Sequence, residues 1–152
     1  MSESPFEHRA GYVIPIPYAT ALTMSVVSFK ENEVLCKVPY DEKLIGNPDT
    51  GVVHGGVISS LLDNACGIAV SAKTKNFGAI ATLDMRIDYM RPATPKLDIL
   101  ATAECFRVTR SIAFARAFAH HGDPNEPIAT CTAVFMLRTR EVQIAGATTE
   151  KA

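Results

Sequence analysis

The sequence predicts an α+β fold in which an antiparallel sheet of about six strands curls around one long buried helix. Residues 57–73 are apolar on nearly every helical face, which is typical of a helix buried in a core. Two strand-like segments precede this helix and four follow it, so the predicted order is β-β-α-β-β-β-β. Strands grouped before and after a single helix favour an antiparallel sheet that packs against that helix.

Length and charge limit the classes of protein that need to be considered. A chain of 152 residues fits one domain, which we place at residues 19–139. We expect an irregular segment with a short helix over residues 1–18 and a flexible tail over residues 140–152. The net charge of −1 argues against a nucleic-acid partner. We find no signal-peptide pattern and expect no apolar run long enough to cross a membrane, so a cytoplasmic location is the default.

The first half of the domain is predicted to contain a hairpin and a long loop. Residues 14–17 are expected to be extended. Residues 21–29 and 34–38 are rich in β-branched and aromatic side chains and are joined by a short polar turn, which predicts two strands. Residues 39–53 carry many turn-forming residues and form a loop that leads into the helix. A loop of this length is more often functional than a plain connection.

The central helix carries one polar face. Small or polar residues recur on it at spacings of three and four, and they are Ser60, Asp63, Gly67 and Ser71. A carboxylate in a buried helix is costly unless it has partners or a function. Asp63 is therefore the first candidate site residue.

Four strands are predicted after the helix, over residues 79–90, 97–109, 112–120 and 128–138. In the first of them, strict alternation places Met85 and Tyr89 on one face with Ala81, Leu83 and Ile87, and Thr82 on the other face with Asp84, Arg86 and Asp88. In the third, alanines alternate with larger residues, which predicts close packing against the helix. His120 and His121 point to opposite faces, so we expect a solvated strand end there rather than a metal site.

The cysteines and histidines suggest no metal or cofactor. Cys36, Cys66, Cys105 and Cys131 are widely spaced within apolar segments, and the chain contains no C-x-x-C pair. This spacing predicts buried, reduced thiols rather than disulfides or a zinc site.

The start of the helix carries the second group of candidate residues, His54, Gly55 and Gly56. The first N–H groups of a helix have no partner within the helix, and the helix dipole favours negative charge near them. The amides of Gly55 and Gly56 are therefore candidates for an oxyanion hole. Asp63 lies nine residues after His54, on the order of 13 Å along the helix axis. Because one small reacting group cannot span that distance, we predict a site shared between two copies whose helices run antiparallel.

Taken together, these segments resemble a known family. His54-Gly55-Gly56, Asp63 nine residues after the histidine, and the strand residues 83–93 that end in Arg91-Pro92-Ala93 are similar to the hotdog-fold acyl-CoA thioesterases of the phenylacetate-degradation (PaaI-like) type. The resemblance covers residues 20–138. It implies hydrolysis of a small acyl- or aryl-CoA to free acid and CoA without a cofactor. It also implies a homodimer as the catalytic unit, often paired into a homotetramer.

The resemblance also implies roles for individual residues. Asp63 matches the catalytic acid, which acts as nucleophile or as general base, and Gly55 matches the glycine whose N–H polarises the thioester carbonyl. His54 matches the histidine that holds the thioester, and Thr82 matches a residue that orients the water or the acid. Asn47 matches a loop asparagine that contacts the water or carbonyl, although it lies one residue further from His54 than the family spacing.

Two further contacts with the substrate are expected from the helix itself, at Gly56 and Ser60. Each candidate also has a purely structural explanation. For His54 this is a histidine at a helix end that donates to a nearby carbonyl, and for Asp63 it is a structural network with Ser59, Ser60 or Asn64.

Two alternative functions remain open from the sequence. One is a non-catalytic acyl-CoA-binding hotdog module, which needs a pocket but no acid, so the presence of Asp63 and Thr82 argues against it. The other is a hotdog dehydratase or hydratase, for which the nine-residue spacing from histidine to aspartate is less suitable.

Overall fold

The computed structural model describes residues 12–13, 16–30, 32–75, 78 and 80–137. The tail over residues 140–152 and most of the segment over residues 1–18 lie outside this part of the chain, so the domain boundaries stay predictions. In chain order the elements are β1 (Tyr12–Val13), α1 (Pro17–Ala21), β2 (Ser25–Lys30), β3 (Glu33–Val38), β4 (Ile45–Asn47), β5 (Val52–Val53), α2 (Gly55–Thr74), β6 (Ile80–Tyr89), β7 (Ile99–Val108), β8 (Ile112–His120) and β9 (Ala129–Leu137).

Seven of these strands form one antiparallel sheet, in the order β1-β2-β3-β7-β8-β9-β6. The two-residue strand β1 is an addition to the six strands that the sequence predicts. A separate two-stranded hairpin, β4 with β5, lies between β3 and α2. The α+β prediction, with one long helix packed on a large antiparallel sheet, is confirmed.

Helix α2 forms the core together with the inner face of the sheet. Strand β8 shows how close the two layers are, because four alternating residues, Ala113, Ala115, Ala117 and Ala119, have no exposed surface at all. Methyl groups on one face of a strand allow the helix backbone to approach. The prediction of close packing at residues 112–120 is confirmed.

Several local predictions need correction. Residues 14–17 were expected to be extended and residues 21–29 to be a strand, but Pro17 begins the short helix α1 and the strand begins at Ser25. Proline suits the first turn of a helix because its missing N–H would be unpaired there. The predicted loop over residues 39–53 contains a 3₁₀ turn at Glu42–Leu44 as well as the β4–β5 hairpin.

Helix α2 begins earlier than the sequence predicts and is longer. It begins at Gly55, two residues earlier than predicted, because His54 caps it. At 20 residues it is long and apolar enough, by length and composition alone, to cross a membrane, so the expectation that no such run exists was wrong. Its buried residues face the sheet, as in the core helix of a globular domain.

Strand β6 is the edge of the sheet and contains a β-bulge. Its register on β9 shifts between Thr82, which lies opposite Phe135, and Asp84, which lies opposite Val134. Leu83 is the extra residue and is 52% exposed. A bulge changes which residues face each side of a sheet. Thr82 therefore shares the inner face with Met85, and the predicted alternation, which placed these two residues on opposite faces, was wrong at this point.

The histidine pair at the end of β8 was predicted to be a solvated strand end, and this was wrong for His120, which is only 2% exposed. Its Nδ1 accepts the Gly122 N–H at 3.0 Å, and its Nε2 lies 2.8 Å from the hydroxyl of Thr102. Nδ1 is thus unprotonated and the neutral ring donates from Nε2. His121 accepts the Thr94 N–H at 2.9 Å, so both rings join the strand ends to neighbouring loops.

All four cysteines are free and buried, as predicted. Burial raises the pKa of the Cys36 thiol to about 12, so this thiol stays protonated at neutral pH. A protonated, buried thiol is a poor nucleophile and packs like a small apolar side chain.

Candidate active site

His54 is the N-cap of α2 and makes the cap with its side chain. Its Nδ1 accepts the Gly56 N–H at 2.9 Å. A Cβ on Gly56 would lie 2.8 Å from Nδ1, so the imidazole can reach this position only because residue 56 is glycine. Because Nδ1 accepts, the neutral ring carries its proton on Nε2. His54 is exposed, and this Nε2–H is available as a hydrogen-bond donor.

The two glycine amides at the helix start are not equivalent. The Gly56 N–H already donates to His54, whereas the Gly55 N–H makes no hydrogen bond within the described part of the chain. The His54 carbonyl, at the other end of the His54–Gly55 peptide, accepts the Val57 N–H at 2.9 Å. The Gly55 N–H is therefore directed away from the helix. Of the two glycine amides, that of Gly55 is the candidate oxyanion donor.

Asp63 lies more than two turns into α2 and is half-buried. The hydroxyl of Thr82 donates to its Oδ1 at 2.8 Å, an ordinary distance for a hydroxyl hydrogen bond. No hydrogen bond joins Asp63 to Ser59, Ser60 or Asn64 in the described part of the chain, although these were its possible structural partners. Asn64 donates to the Ser60 carbonyl at 2.9 Å, and Ser59 donates to the Gly56 carbonyl at 3.0 Å.

Ser60 uses its hydroxyl within the helix. It donates to the Gly56 carbonyl at 2.7 Å and lies 3.3 Å from the hydroxyl of Tyr18. Its contact with substrate stays a prediction.

The loop before the helix packs on His54 through Gly46, a residue that sequence reasoning missed. A Cβ on Gly46 would lie 2.7 Å from the His54 Cα, and the His54 N–H donates to the Leu44 carbonyl at 2.8 Å. Asn47 is next in the chain to this contact. Its side-chain oxygen accepts the Asp49 N–H at 3.0 Å and so shapes the turn, while its catalytic role stays a prediction.

Tyr89, at the end of β6, is the second residue that sequence reasoning left without a role. Its hydroxyl donates to the Gly55 carbonyl at 3.1 Å. A cavity of about 370 Å³ opens beside this contact. It is lined by Val52, Val53, Gly55, Ile58, Tyr89, Met90, Arg91, Pro92 and Ala93.

Asp63 is not part of that cavity lining. Gly55 and Asp63 are eight positions apart in the helix, about 12 Å along the axis. The structure thus brings His54, Gly55 and Tyr89 together at one end of the helix, and Asp63 with Thr82 at a second position. Within one chain these two groups do not meet.

A large antiparallel sheet packed against one long helix is the architecture of the hotdog fold. The chain belongs to the thioesterase superfamily, whose family model matches residues 50–128. This confirms the resemblance found in the sequence.

Individual relatives agree with this family. A crystal structure of a Pseudomonas aeruginosa protein is 42% identical, with a TM-score of 0.73, over 80% of this chain and 90% of that protein. The medium/long-chain acyl-CoA thioesterase YigI of Escherichia coli K12 is 27% identical over 139 residues, 83% of this chain and 88% of YigI. An inferred esterase of Halobacterium salinarum is 39% identical over 97 residues, 62% of this chain, and the match spans only 63% of the archaeal protein.

Proposed function

We propose that this protein hydrolyses acyl-CoA thioesters to a free acid and CoA. The observation that carries the proposal is the unpaired Gly55 N–H at the start of α2, on the wall of a 370 Å³ cavity. A thioester carbonyl that enters this cavity finds a backbone donor at the positive end of a helix dipole. Family membership and the name of YigI support a CoA thioester as substrate.

The donors at the helix start suit the charge that develops during hydrolysis. When the carbonyl carbon becomes tetrahedral, its oxygen becomes negative, and Gly55 N–H stabilises it with a charge-assisted hydrogen bond. The His54 Nε2–H is a second donor at the helix start, although His54 is not among the residues that line the cavity. Neither donor needs to reorganise during the reaction, because the cap already holds His54.

Asp63 supplies the negative group that the reaction needs. Thr82 occupies Oδ1, so Oδ2 remains for chemistry. As a general base, Asp63 takes a proton from water while the hydroxide attacks the carbonyl carbon; the C–S bond then breaks and CoA leaves as a thiolate. As a nucleophile, it attacks the carbon itself, expels the thiolate and forms an anhydride that water then hydrolyses. Both routes consume one water and yield acid and thiol.

The two halves of this site meet only if two copies combine. Strand β6 pairs with β9 on one side, and no strand in the described part of the chain pairs with its other side. A long edge strand with exposed apolar residues is a template for another strand. Two β6 strands paired across a two-fold axis run antiparallel, so the two α2 helices beside them also run antiparallel. This arrangement directs Asp63 of one copy toward Gly55 of the other. The further pairing into a homotetramer stays an expectation.

The size of the acyl group differs between the two sources that suggest a substrate. The family resemblance suggests a small acyl or aryl group, whereas YigI is named for medium and long chains. The cavity lining is mainly apolar, apart from Arg91, which donates to the Glu126 carbonyl at 2.8 Å. A hydrolysis panel of acetyl-, hexanoyl-, palmitoyl- and phenylacetyl-CoA distinguishes these classes.

The direct test measures thiol release from this panel for the wild type and for Asp63→Asn. We expect the substitution to lower kcat by about 10²- to 10⁴-fold, since a positioned acid–base group contributes about that much. Folding should be preserved, because an asparagine oxygen still accepts the Thr82 hydroxyl. Asp123→Asn, the same change in an exposed turn, is the control and should be fully active. Full activity of Asp63→Asn, or a wild type that cleaves no acyl-CoA, would overturn the proposal.

A further inference from the structure

The peptide between Gly55 and Gly56 is held at both ends. Its N–H donates to His54 Nδ1 at 2.9 Å, and its carbonyl accepts the hydroxyl of Tyr89 at 3.1 Å. The two groups belong to one planar unit, so they cannot rotate independently. A side chain from the edge strand is therefore connected to the imidazole through a single peptide.

We propose that Tyr89 is a positioning residue that acts through this peptide on His54. Its hydroxyl fixes the orientation of the imidazole and therefore of the protonated Nε2. It also fixes the first turn of α2, which presents the Gly55 N–H. The inference rests on the proposed function, because only a thioesterase gives His54 and Gly55 their catalytic meaning.

The electrostatic effect of the tyrosine has a definite direction. A hydrogen bond to a peptide carbonyl polarises the amide and strengthens the hydrogen bond that its N–H donates, by about 10–30% per bond in a chain. The Gly56 N–H thus binds Nδ1 more strongly when Tyr89 holds the carbonyl. A more firmly occupied Nδ1 keeps the proton of neutral His54 on Nε2, the nitrogen that is free to donate to a substrate.

Tyr89 is well placed for this role. It lies opposite Ala129 on β9. Three of its outer atoms, Cε1, Cζ and the hydroxyl oxygen, lie 3.7–3.8 Å from the position that a Cβ added to Gly55 would take. The backbone next to it is anchored, since the Met90 N–H donates to the Ile128 carbonyl at 2.8 Å. The ring therefore packs against the helix start, and the hydroxyl extends from it to the carbonyl.

A purely structural tyrosine would behave differently from a positioning one. If the ring only lines the cavity, Tyr89→Phe preserves the ring and leaves His54 and kcat as they were. If the hydroxyl positions His54, Tyr89→Phe changes the state of the imidazole even in the absence of substrate. Tyr40 offers a matched control, because its hydroxyl also donates to a glycine carbonyl, that of Gly51, at 3.3 Å, and Gly51 is not bonded to His54.

The experiment records nitrogen NMR of the imidazole rings in free wild type, Tyr89→Phe and Tyr40→Phe, with the His54 signals assigned from a His54→Asn variant. In the wild type we expect Nδ1 at the shift of an unprotonated, hydrogen-bonded nitrogen and Nε2 at that of a protonated one. In Tyr89→Phe the two signals should move toward each other as the tautomers mix. Tyr40→Phe should leave both signals in place.

Kinetics on the best substrate of the panel complete the test. Tyr89→Phe should lower kcat by about five- to tenfold, the equivalent of one ordinary hydrogen bond, with KM changed by less than about twofold because the ring remains. Unchanged His54 signals in Tyr89→Phe would overturn the inference.

A second test uses the wild type alone. If the Gly56 N–H donates to His54 Nδ1, scalar coupling through this hydrogen bond must connect the Gly56 nitrogen with His54 Nδ1. The absence of that coupling would also overturn the inference. These spectra need no turnover, so they fail or succeed separately from the activity of Asp63→Asn.

Discussion

Thr82 donates its hydroxyl proton to Oδ1 of Asp63 across 2.8 Å, and this bond joins the edge strand β6 to the middle of helix α2. It exists because the bulge at Leu83 turns Thr82 to the inner face of the sheet. Seven residues further along the same strand, Tyr89 bonds to the start of the helix. One strand thus positions both groups of candidate catalytic residues.

The first prediction concerns this threonine. Thr82→Val has nearly the same shape but lacks the hydroxyl, so Asp63 loses its hydrogen bond and its fixed orientation. We expect kcat to fall by about tenfold, a loss of roughly 1–1.5 kcal/mol. Thr82→Ser preserves the donor and should remain within about twofold of the wild type. Equal kcat values for the valine and serine variants would contradict the role of the hydroxyl.

The bulge also shows where sequence reasoning reaches its limit. Alternation along residues 79–90 predicts a strand correctly, but it assumes a continuous pleat. Leu83 is an ordinary apolar strand residue, and nothing in its neighbours indicates that it is the extra one. The role of Thr82 therefore came from the family resemblance alone.

A second prediction uses two glycines that differ in their surroundings. At Gly46 a methyl group would lie 2.7 Å from the His54 backbone, which cannot give way, so Gly46→Ala should lower the free energy of unfolding by about 1–3 kcal/mol and also lower kcat. At Gly67, inside α2, the nearest atoms are side-chain carbons of Ile80 and Phe135 at 3.6 and 3.7 Å. Gly67→Ala should therefore raise the free energy of unfolding by up to about 1 kcal/mol. Urea unfolding measures both, and the same sign for the two variants would contradict this reasoning.

A third prediction concerns acid stability. Burial holds the pKa of His120 below its usual value of 6.5; the nearby Asp123 partly opposes this effect, while His121 adds to it. The unfolded chain therefore binds this proton more readily than the folded protein. The stability contributed by neutral His120 is complete above about pH 6.5 and is lost as the pH falls through the folded-state pKa.

Urea unfolding at a series of pH values tests this dependence. His120→Gln retains an acceptor for Gly122 and a donor for Thr102 but cannot take up a proton, so it should reduce the loss of stability as the pH falls below about 6.5. His121→Gln removes the smallest of the three influences on the pKa of His120, so it should change this dependence less than His120→Gln does. An unchanged slope in His120→Gln would show that other groups cause the acid sensitivity.

A fourth prediction addresses the edge strand. Leu83 is 52% exposed on β6, and Phe106 is 53% exposed on β7, where it packs beside Phe114 and Arg116. If β6 pairs with a second copy, Leu83→Arg should shift the protein toward monomers in analytical ultracentrifugation and lower its specific activity at low concentration. Phe106→Arg adds the same charge away from the edge and should leave the dimer intact. Dimers of equal strength in the two variants would exclude β6 as the interface.

Most of the fold followed from local patterns, whereas the finer structure of the site did not. Apolar periodicity predicted helix α2 and strands β6 to β9. The spacing between His54 and Asp63 predicted that the candidate site residues fall into two groups. The contacts of Gly46 with His54 and of Tyr89 with Gly55 join residues 8 and 34 positions apart. Their closeness depends on how the loop and the edge strand pack on the helix, which no local pattern records.

We propose that Gly55 of one copy and Asp63 of another form one active site, and subunit complementation is the decisive test. Gly55→Pro removes the candidate N–H, yet proline is favoured at the first position of a helix, and the extended backbone of His54 is suitable before a proline. Asp63→Asn removes the carboxylate. Each homodimer should be inactive on its own.

Differently tagged copies of these two variants, co-expressed and purified through both tags, form a mixed dimer. One of its two sites then combines an intact Gly55 with an intact Asp63 from the other copy. We expect about half of the wild-type kcat per dimer for this preparation, because one of its two sites is intact. A mixed dimer as inactive as its parents, measured beside a doubly tagged wild type with full activity, would contradict the shared site.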